Sequence, residues 1–398
     1  MLLGFHPDSP VEGRRVVVTG IGAMSCAGTG ADALWQALLS GATPDDRHVP
    51  AFDASHLGGP KELRRLDPFT LFALAAADEA WLQSGLDATF ANAASIIATG
   101  IGGLQTLIEQ LDVLNDRGAN RVSPFLIPMM MPNAAAAAVS MRFGTRGPCE
   151  TITTACAAGT HAIGYAARLV ASGRVDVAVA GGAEAVITPV SIAGFSNMTA
   201  LSSSGLSRPF DVDRDGFVMG EGAGVLVLES LDHAQARGAT ILAEILGAAS
   251  TADAHHLTAP DPEGAGAIEC IRLTLRDAQL DASEIDHVNA HGTSTPLNDR
   301  AEGEAISTVF GDRRPPVTSI KGYLGHSLAA AGALEAVVAV LTLHHQLIPA
   351  TLGTSTVDPE IDVDVVLGSP RPHAIRNIIS NSFGFGGHNG CLAIGQPR

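Results

Sequence analysis

Between Thr151 and Arg168 the chain changes its hydrophobic period within a few residues. The β-branched run at 152–154 reads as the end of a strand, and from Ala157 to Leu169 small and apolar residues recur at helical spacing. Cys156 therefore sits where a strand turns into a helix. A thiol at a helix N-terminus feels the positive end of the helix dipole, which favours the thiolate. Ala155, Ala157, Ala158 and Gly159 leave room for a substrate to reach the sulfur. A small buried cysteine in a close-packed turn is the competing reading. The company this cysteine keeps further along the chain decides between the two.

The same strand-then-helix pattern repeats. Buried strands are predicted at residues 14–22, 94–100, 175–182 and 223–229. A second series starts at Ile241, with strands at 285–290, 317–320, 363–367, 376–381 and 391–394. Helices are predicted at 31–39, 61–82, 129–141, 264–278, 299–309 and 328–343, and 45–60 reads as surface loop. Such alternation predicts an α/β fold. Residues 14–240 and 241–398 carry a comparable order of elements with no low-complexity linker between them. Two intertwined halves of one unit are therefore expected. With 46% hydrophobic and 16% charged residues over 398 positions, the core is large. Aromatics make up only 4%, so the elements should pack closely.

A net charge of -17 argues against nucleic acid as a partner, which needs a basic face. An acidic partner would need a local basic patch. The cysteines Cys26, Cys149, Cys156, Cys270 and Cys391 show no CxxC spacing, which suits a reducing cytoplasm and offers no zinc or other metal motif. Residues 1–13 lack a basic stretch followed by an apolar core, so no signal peptide is expected there. Apolar stretches such as 333–343 read as too short to span a bilayer.

Three further stretches carry chemistry. They are Asn289-Ala-His291-Gly-Thr293-Ser-Thr295-Pro, Lys321-Gly-Tyr-Leu-Gly-His326, and Asn381-Ser-Phe383-Gly-Phe385-Gly-Gly-His388. Each follows a strand in a glycine-rich turn, where α/β sheets place their ligands. Together with Thr154-Ala-Cys156-Ala-Ala-Gly159, this ordered set resembles the elongating β-ketoacyl-acyl carrier protein synthases, the KAS I/KAS II group. The likeness runs from about Val16 to Ile394 and includes Gly182-Ala-Glu184 and Phe210-Asp-Val-Asp-Arg-Asp-Gly216.

The resemblance implies a thiolase-like fold, with two similar halves, each a five-stranded mixed sheet, layered α-β-α-β-α, and a homodimer. It implies that Cys156 takes an acyl group from acyl carrier protein. His291 and His326 then promote decarboxylation of malonyl-ACP, and the resulting carbanion condenses with the acyl-Cys156 thioester. Lys321 would tune the site's charge, with Glu335, Asp299 and Phe383 in support. The backbone N–H groups of Cys156 and Phe385 would form the oxyanion hole, Phe385 also acting as a gate. No metal or redox cofactor is implied.

Other assignments keep a second reading open. Thr293 and Thr295 resemble pantetheine-binding hydroxyls, or simply suit a tight turn. Lys61, Arg64, Arg65 and Arg121 resemble a docking patch for the carrier protein, where a solvated helix face is the ordinary reading. Ile101 and the methionines at 129–131 would line the acyl tunnel or a subunit interface, or serve as plain core. His161, His255, His256, His344 and His345 are expected to be structural or solvent-facing. The stretch 201–210 is shorter than the usual family loop and lacks its Thr-Arg-Asn run, and His388 stands where threonine is commoner. A non-catalytic chain-length-factor partner, a secondary-metabolism ketosynthase, a thiolase and a KAS III initiator are the competing functional readings. Cys156, both histidines and Lys321 being present together favours the elongating enzyme.

Overall fold

Strands of the first half are β1 (Val16–Ser25), β2 (Ala93–Ala98), β3 (Cys149–Glu150), β4 (Val177–Glu184) and β5 (Gly222–Ser230). They lie side by side as β3-β2-β4-β5-β1. The second half has β6 (Ala243–Ala252), β7 (His287–Asn289), β8 (Pro316–Thr318), β9 (Asn377–Gly384) and β10 (His388–Gly395), and repeats the arrangement as β8-β7-β9-β10-β6. In each half the fifth strand is antiparallel to both neighbours and the other pairs are parallel. The halves join through their first strands, β1 against β6, with Val16 opposite Ile245 and Val18 opposite Ala243. The two five-stranded sheets are thus one hydrogen-bonded surface, extended beyond β8 by Asp364–Val365. The computed structural model describes residues 13–398. The reading of residues 1–13 as lacking a signal peptide lies, except for Gly13, outside the described residues.

Strand alternation explains the layering. Ala178, Ala180, Leu226 and Leu228 point into a middle core with α2 (Ala158–Ala171) and α5 (Ala331–His345), and Val177, Val179, Val225 and Val227 point outward onto α1 (Pro68–Ser84). In the second half Ile378, Leu392 and Ile394 face the same middle core. Ile379, Cys391 and Ala393 face α3 (Ala265–Ala278) on the far side. Both faces of each sheet are covered, so the strands read as unbroken apolar runs. The order of layers is α1, first sheet, α2 with α5, second sheet, α3.

Three expectations need correction. The long helix at 61–82 is two pieces, Pro60–Leu63 and α1. Asp67 caps α1 by accepting from the Phe69 N–H at 3.2 Å, and Pro68 cannot donate to a continuing helix. The helix at 129–141 is likewise split around Pro132 into Leu126–Met130 and Ala134–Phe143. The stretch Leu328–His345 is in fact long and apolar enough to cross a membrane, but 89% of it is buried inside the fold as the centre of the middle layer. A helix at Leu104–Arg117, not expected from the pattern, buries only Thr106.

Candidate active site

Cys156 lies just ahead of α2, on a turn held by Ala157 N–H to the Thr154 carbonyl at 3.2 Å and Ala158 N–H to the Ala155 carbonyl at 3.1 Å. Ala155 takes a left-handed φ of 49°, a strained value for a residue with a Cβ. The hairpin of β9 and β10 presses onto this turn. A Cβ on Gly384 would lie 2.9 Å from the Thr154 oxygen and 3.1 Å from the Cys156 nitrogen, so only glycine permits the approach. The Phe385 N–H is thereby directed at the Cys156 sulfur.

His291 follows β7. Glu302, on helix α4 (Pro296–Phe310), holds that turn by accepting from the His291 N–H at 2.8 Å and the Gly292 N–H at 2.7 Å. The Ser319 hydroxyl donates to the Gly292 carbonyl at 2.7 Å. His326 follows the short helix Lys321–Leu324 and a left-handed Gly325. Its N–H donates to the Val218 carbonyl at 2.7 Å, and its carbonyl accepts from the Gly220 N–H at 2.9 Å. The two imidazoles stand edge to face with centroids 5.3 Å apart.

Lys321 is almost completely buried. Its ammonium donates to the His291 carbonyl at 2.6 Å, lies 3.3 Å from His291 Nδ1, and pairs with Glu335. A cation at Nδ1 makes that nitrogen the acceptor, so the ring proton sits on Nε2. Burial first, then the charge of Lys321, holds both imidazoles well below the usual histidine range. They are neutral hydrogen-bond donors. Burial also pushes the Glu335 carboxyl up, against the pull of Lys321.

A cavity of about 320 Å³ joins these parts. Cys156, His291, His326, Phe383, Phe385, Thr293 and Thr295 all line it. The Thr293 and Thr295 hydroxyls are 2.9 Å apart, and Phe383 meets the His291 ring edge to face at 5.8 Å. Asp299 lies beneath, accepting from the Phe210 N–H at 2.7 Å. Behind the sulfur, Val186, Phe217, Met219 and Leu328 form an apolar cluster with Cys156, flanked by Leu104, Ile187 and Phe195.

The thiolate expected at Cys156 is not the resting form. Burial pushes the thiol up to about 12, against the opposing effects of Lys321 and the Phe385 N–H. Desolvation outweighs both. Ile101 does not line the cavity of a single chain but stands 42% exposed. Arg65 stacks 4.1 Å above the Phe125 ring, four positions after Arg121, and Lys61, Arg64, Arg65 and Arg121 are all exposed. In the shortened loop, Asp215 accepts from the Ser202 hydroxyl at 2.6 Å, the Ser204 N–H at 2.9 Å and the Ser203 hydroxyl at 2.8 Å. That loop is wrapped on a carboxylate, and its one cation, Arg208, lies 3.7 Å from the same Asp215.

Sequence reasoning missed Glu302 and gave Glu184, present in the Gly182-Ala-Glu184 motif, no role. Glu184 accepts from the Thr99 hydroxyl at 2.9 Å and from the N–H groups of Gly100 at 2.7 Å and Ala329 at 3.4 Å, tying two loops behind the cysteine. The available signal for Glu302 was its place three residues after Asp299, on the same buried face of α4. Phe195 and Phe217, 5.3 Å apart, form the aromatic rim and carry no motif.

Two family models match the chain, "Beta-ketoacyl synthase, N-terminal domain" over residues 43–234 and "Beta-ketoacyl synthase, C-terminal domain" over 242–355. A 3-oxoacyl-(acyl-carrier-protein) synthase 2 of Synechocystis is 43% identical, covering 96% of this chain and 98% of that protein. Among solved structures, the ishigamide ketosynthase/chain length factor superposes with a TM-score of 0.90 at 35% identity, covering 97% of this chain and 100% of that one. A type II PKS acyl-carrier protein in complex with its ketosynthase bound to the hexaketide gives 0.86 at 30%, with the same coverage.

Glu302 yields a pH test. Burial raises its carboxyl from 4.5 to about 7, despite the two N–H donors. Its contribution to stability is fully present below the unfolded value and is lost as pH rises through the folded one. Relative to Glu302→Gln, wild-type stability in urea should therefore fall by about 2–3 kcal/mol between about pH 5 and pH 8. A difference that does not change with pH would contradict the assignment.

Proposed function

The chain belongs to the β-ketoacyl synthase family, and on that premise we propose how its residues extend an acyl chain. The reaction is a decarboxylative Claisen condensation that gives a 3-oxoacyl-ACP and carbon dioxide. The observation that carries our assignment of roles is the convergence of Cys156, His291 and His326 on one cavity beside the Phe385 N–H.

In the first step the Cys156 sulfur attacks the thioester carbonyl of acyl-ACP. The oxygen that becomes negative is held by the N–H groups of Cys156 and Phe385. The carrier thiol leaves with the proton that Cys156 gives up, and the acyl group stays on Cys156. In the second step the Nε2–H groups of His291 and His326 donate to the thioester oxygen of malonyl-ACP. The bond to the carboxylate breaks, carbon dioxide leaves, and the electron pair becomes an enolate held by those two donors. The enolate carbon attacks the acyl-Cys156 carbonyl, and the sulfur leaves and is reprotonated. A thiol favoured by its surroundings suits that last role. Neutral imidazoles suit the second step because an imidazolium would hold the malonyl carboxylate and slow its loss. Burial, reinforced by the charge of Lys321, keeps them neutral. Residue chemistry of this kind calls for no cofactor.

The partner we propose is acyl carrier protein, docked at Lys61, Arg64, Arg65 and Arg121, with the pantetheine arm passing Thr293 and Thr295. The apolar residues Ile101, Leu111, Ile127 and Met131 and the outer edge of β3 suit a two-fold contact with a second copy. We take the halves to divide at residues 14–240 and 241–398, and the five free thiols to suit the cytoplasm. A chain-length-factor-like role in a heterodimer would leave the nucleophile and both histidines without use.

In the purified chain, Cys156→Gln should abolish 3-oxoacyl-ACP formation yet decarboxylate malonyl-ACP without an acyl primer. Its amide oxygen stands where the acyl oxygen would be. Loss of both activities, or condensation by this variant, would overturn the roles given to the cysteine and the histidines. Reversing Arg64 and Arg65 to Glu should raise the KM for acyl-ACP about tenfold or more and leave turnover of an acyl-pantetheine unchanged. Equal loss with both substrates would argue against docking there.

A further inference from the structure

We propose that His161 is the positioning residue that keeps the two N–H groups of the oxyanion hole in register. The proposal rests on the condensing-enzyme reading above. His161 lies in the first turn of α2, five residues after Cys156, and belongs to neither the cavity lining nor the histidine pair. Its Nδ1 is 2.7 Å from the Thr154 hydroxyl, two residues before the nucleophile. Its Nε2 is 3.0 Å from the Asn389 carbonyl, four residues after Phe385. A single rigid ring therefore links the turn that carries one N–H to the hairpin that carries the other.

The polarity of the link is determined. A carbonyl only accepts, so Nε2 carries the proton. Burial holds the ring below the usual histidine range, so it is neutral and Nδ1 accepts from Thr154. Gly390 leaves space for the ring, since a Cβ there would lie 2.9 Å from it. The neighbouring Thr160 hydroxyl pairs with the Ser382 hydroxyl at 2.7 Å, on the other leg of the same hairpin. The first turn of α2 thus grips both β9 and β10 beside the turn at Phe385. The hairpin tip has other anchors, Gly386 N–H to the Leu257 carbonyl at 2.7 Å and Asp253 N–H to the Gly387 carbonyl at 2.9 Å, but these lead to the 253–257 loop and not to the cysteine. Packing at Gly384 brings the hairpin near the cysteine turn. The directional bonds that fix its sliding position come from His161 and Thr160.

Such a residue acts on the steps that use the hole and not on the step that uses the histidine pair. The test compares two variants in two half-reactions: the rate of acyl transfer from acyl-ACP to Cys156, and malonyl-ACP decarboxylation in the Cys156→Gln background. His161→Leu, which removes both bonds at similar volume, should slow acyl transfer on the order of 10- to 100-fold, because small misplacement of a reacting geometry costs that much. Decarboxylation should stay within about threefold of its own background, because its donors are elsewhere. His161→Gln, whose amide can accept from Thr154 and donate to Asn389, should recover most of the acyl-transfer rate. Equal loss in both half-reactions, no loss in acyl transfer, or a glutamine variant no better than leucine would each overturn the proposal. Unsubstituted protein inert in both assays would instead overturn the condensing-enzyme reading beneath it.

Discussion

The site depends on one close approach across the seam between the halves. Cys156, our proposed nucleophile, is carried by the first half, on the turn before α2, and Phe385, our proposed second oxyanion donor, by the second half, on the β9–β10 hairpin. In the proposed reaction each acts only with the other at a hydrogen bond's distance. The approach is possible because Gly384 has no side chain to meet the Thr154 carbonyl. It is rigid because both elements are rooted in the middle core, where α2 and α5 pack between two sheets that share a repeated strand order. Duplication of one five-strand plan explains why the chemistry lies at equivalent places in the two halves, beyond strand ends near the pseudo-symmetric seam.

Electrostatics inside this enclosure are organised by a single buried cation. Lys321 pairs with Glu335, donates to the His291 carbonyl and sets the tautomer of that ring. An ammonium in the interior is costly unless its donors are satisfied, and here all three have acceptors. The surrounding groups are uncharged at rest, with a thiol pushed to about 12 and two imidazoles held neutral. The site therefore carries little charge until a substrate brings it. In the proposed reaction fixed N–H donors then meet each oxyanion as it forms, in surroundings where such contacts are strongest.

Most of the fold and the centre of the site were legible in the residues. Strands covered on both faces leave unbroken apolar runs, and glycine-rich turns after strands mark where side chains can converge. Cys156, His291, His326 and Phe385 lie in or beside such turns and line one cavity, and Lys321 opens a short helix against them. What failed did so for physical reasons. Local pattern carried the helical reading through Leu66 and through Pro132, because apolar spacing continues across both breaks. The helix-end argument for a thiolate is local, whereas the burial that defeats it is tertiary. Glu302 and Glu184 act largely through backbone N–H groups, so their roles could not be read from side-chain spacing.

Acyl transfer to one buried sulfur in preference to a more accessible one is the central claim. Cys149 is exposed, whereas Cys156 is only 6% exposed. Peptide mass spectrometry after incubation with acyl-ACP tests it directly. The account predicts an acyl thioester on Cys156 alone, with Cys26, Cys149, Cys270 and Cys391 unmodified. Acylation of Cys149, or of no cysteine while condensation proceeds, would contradict it.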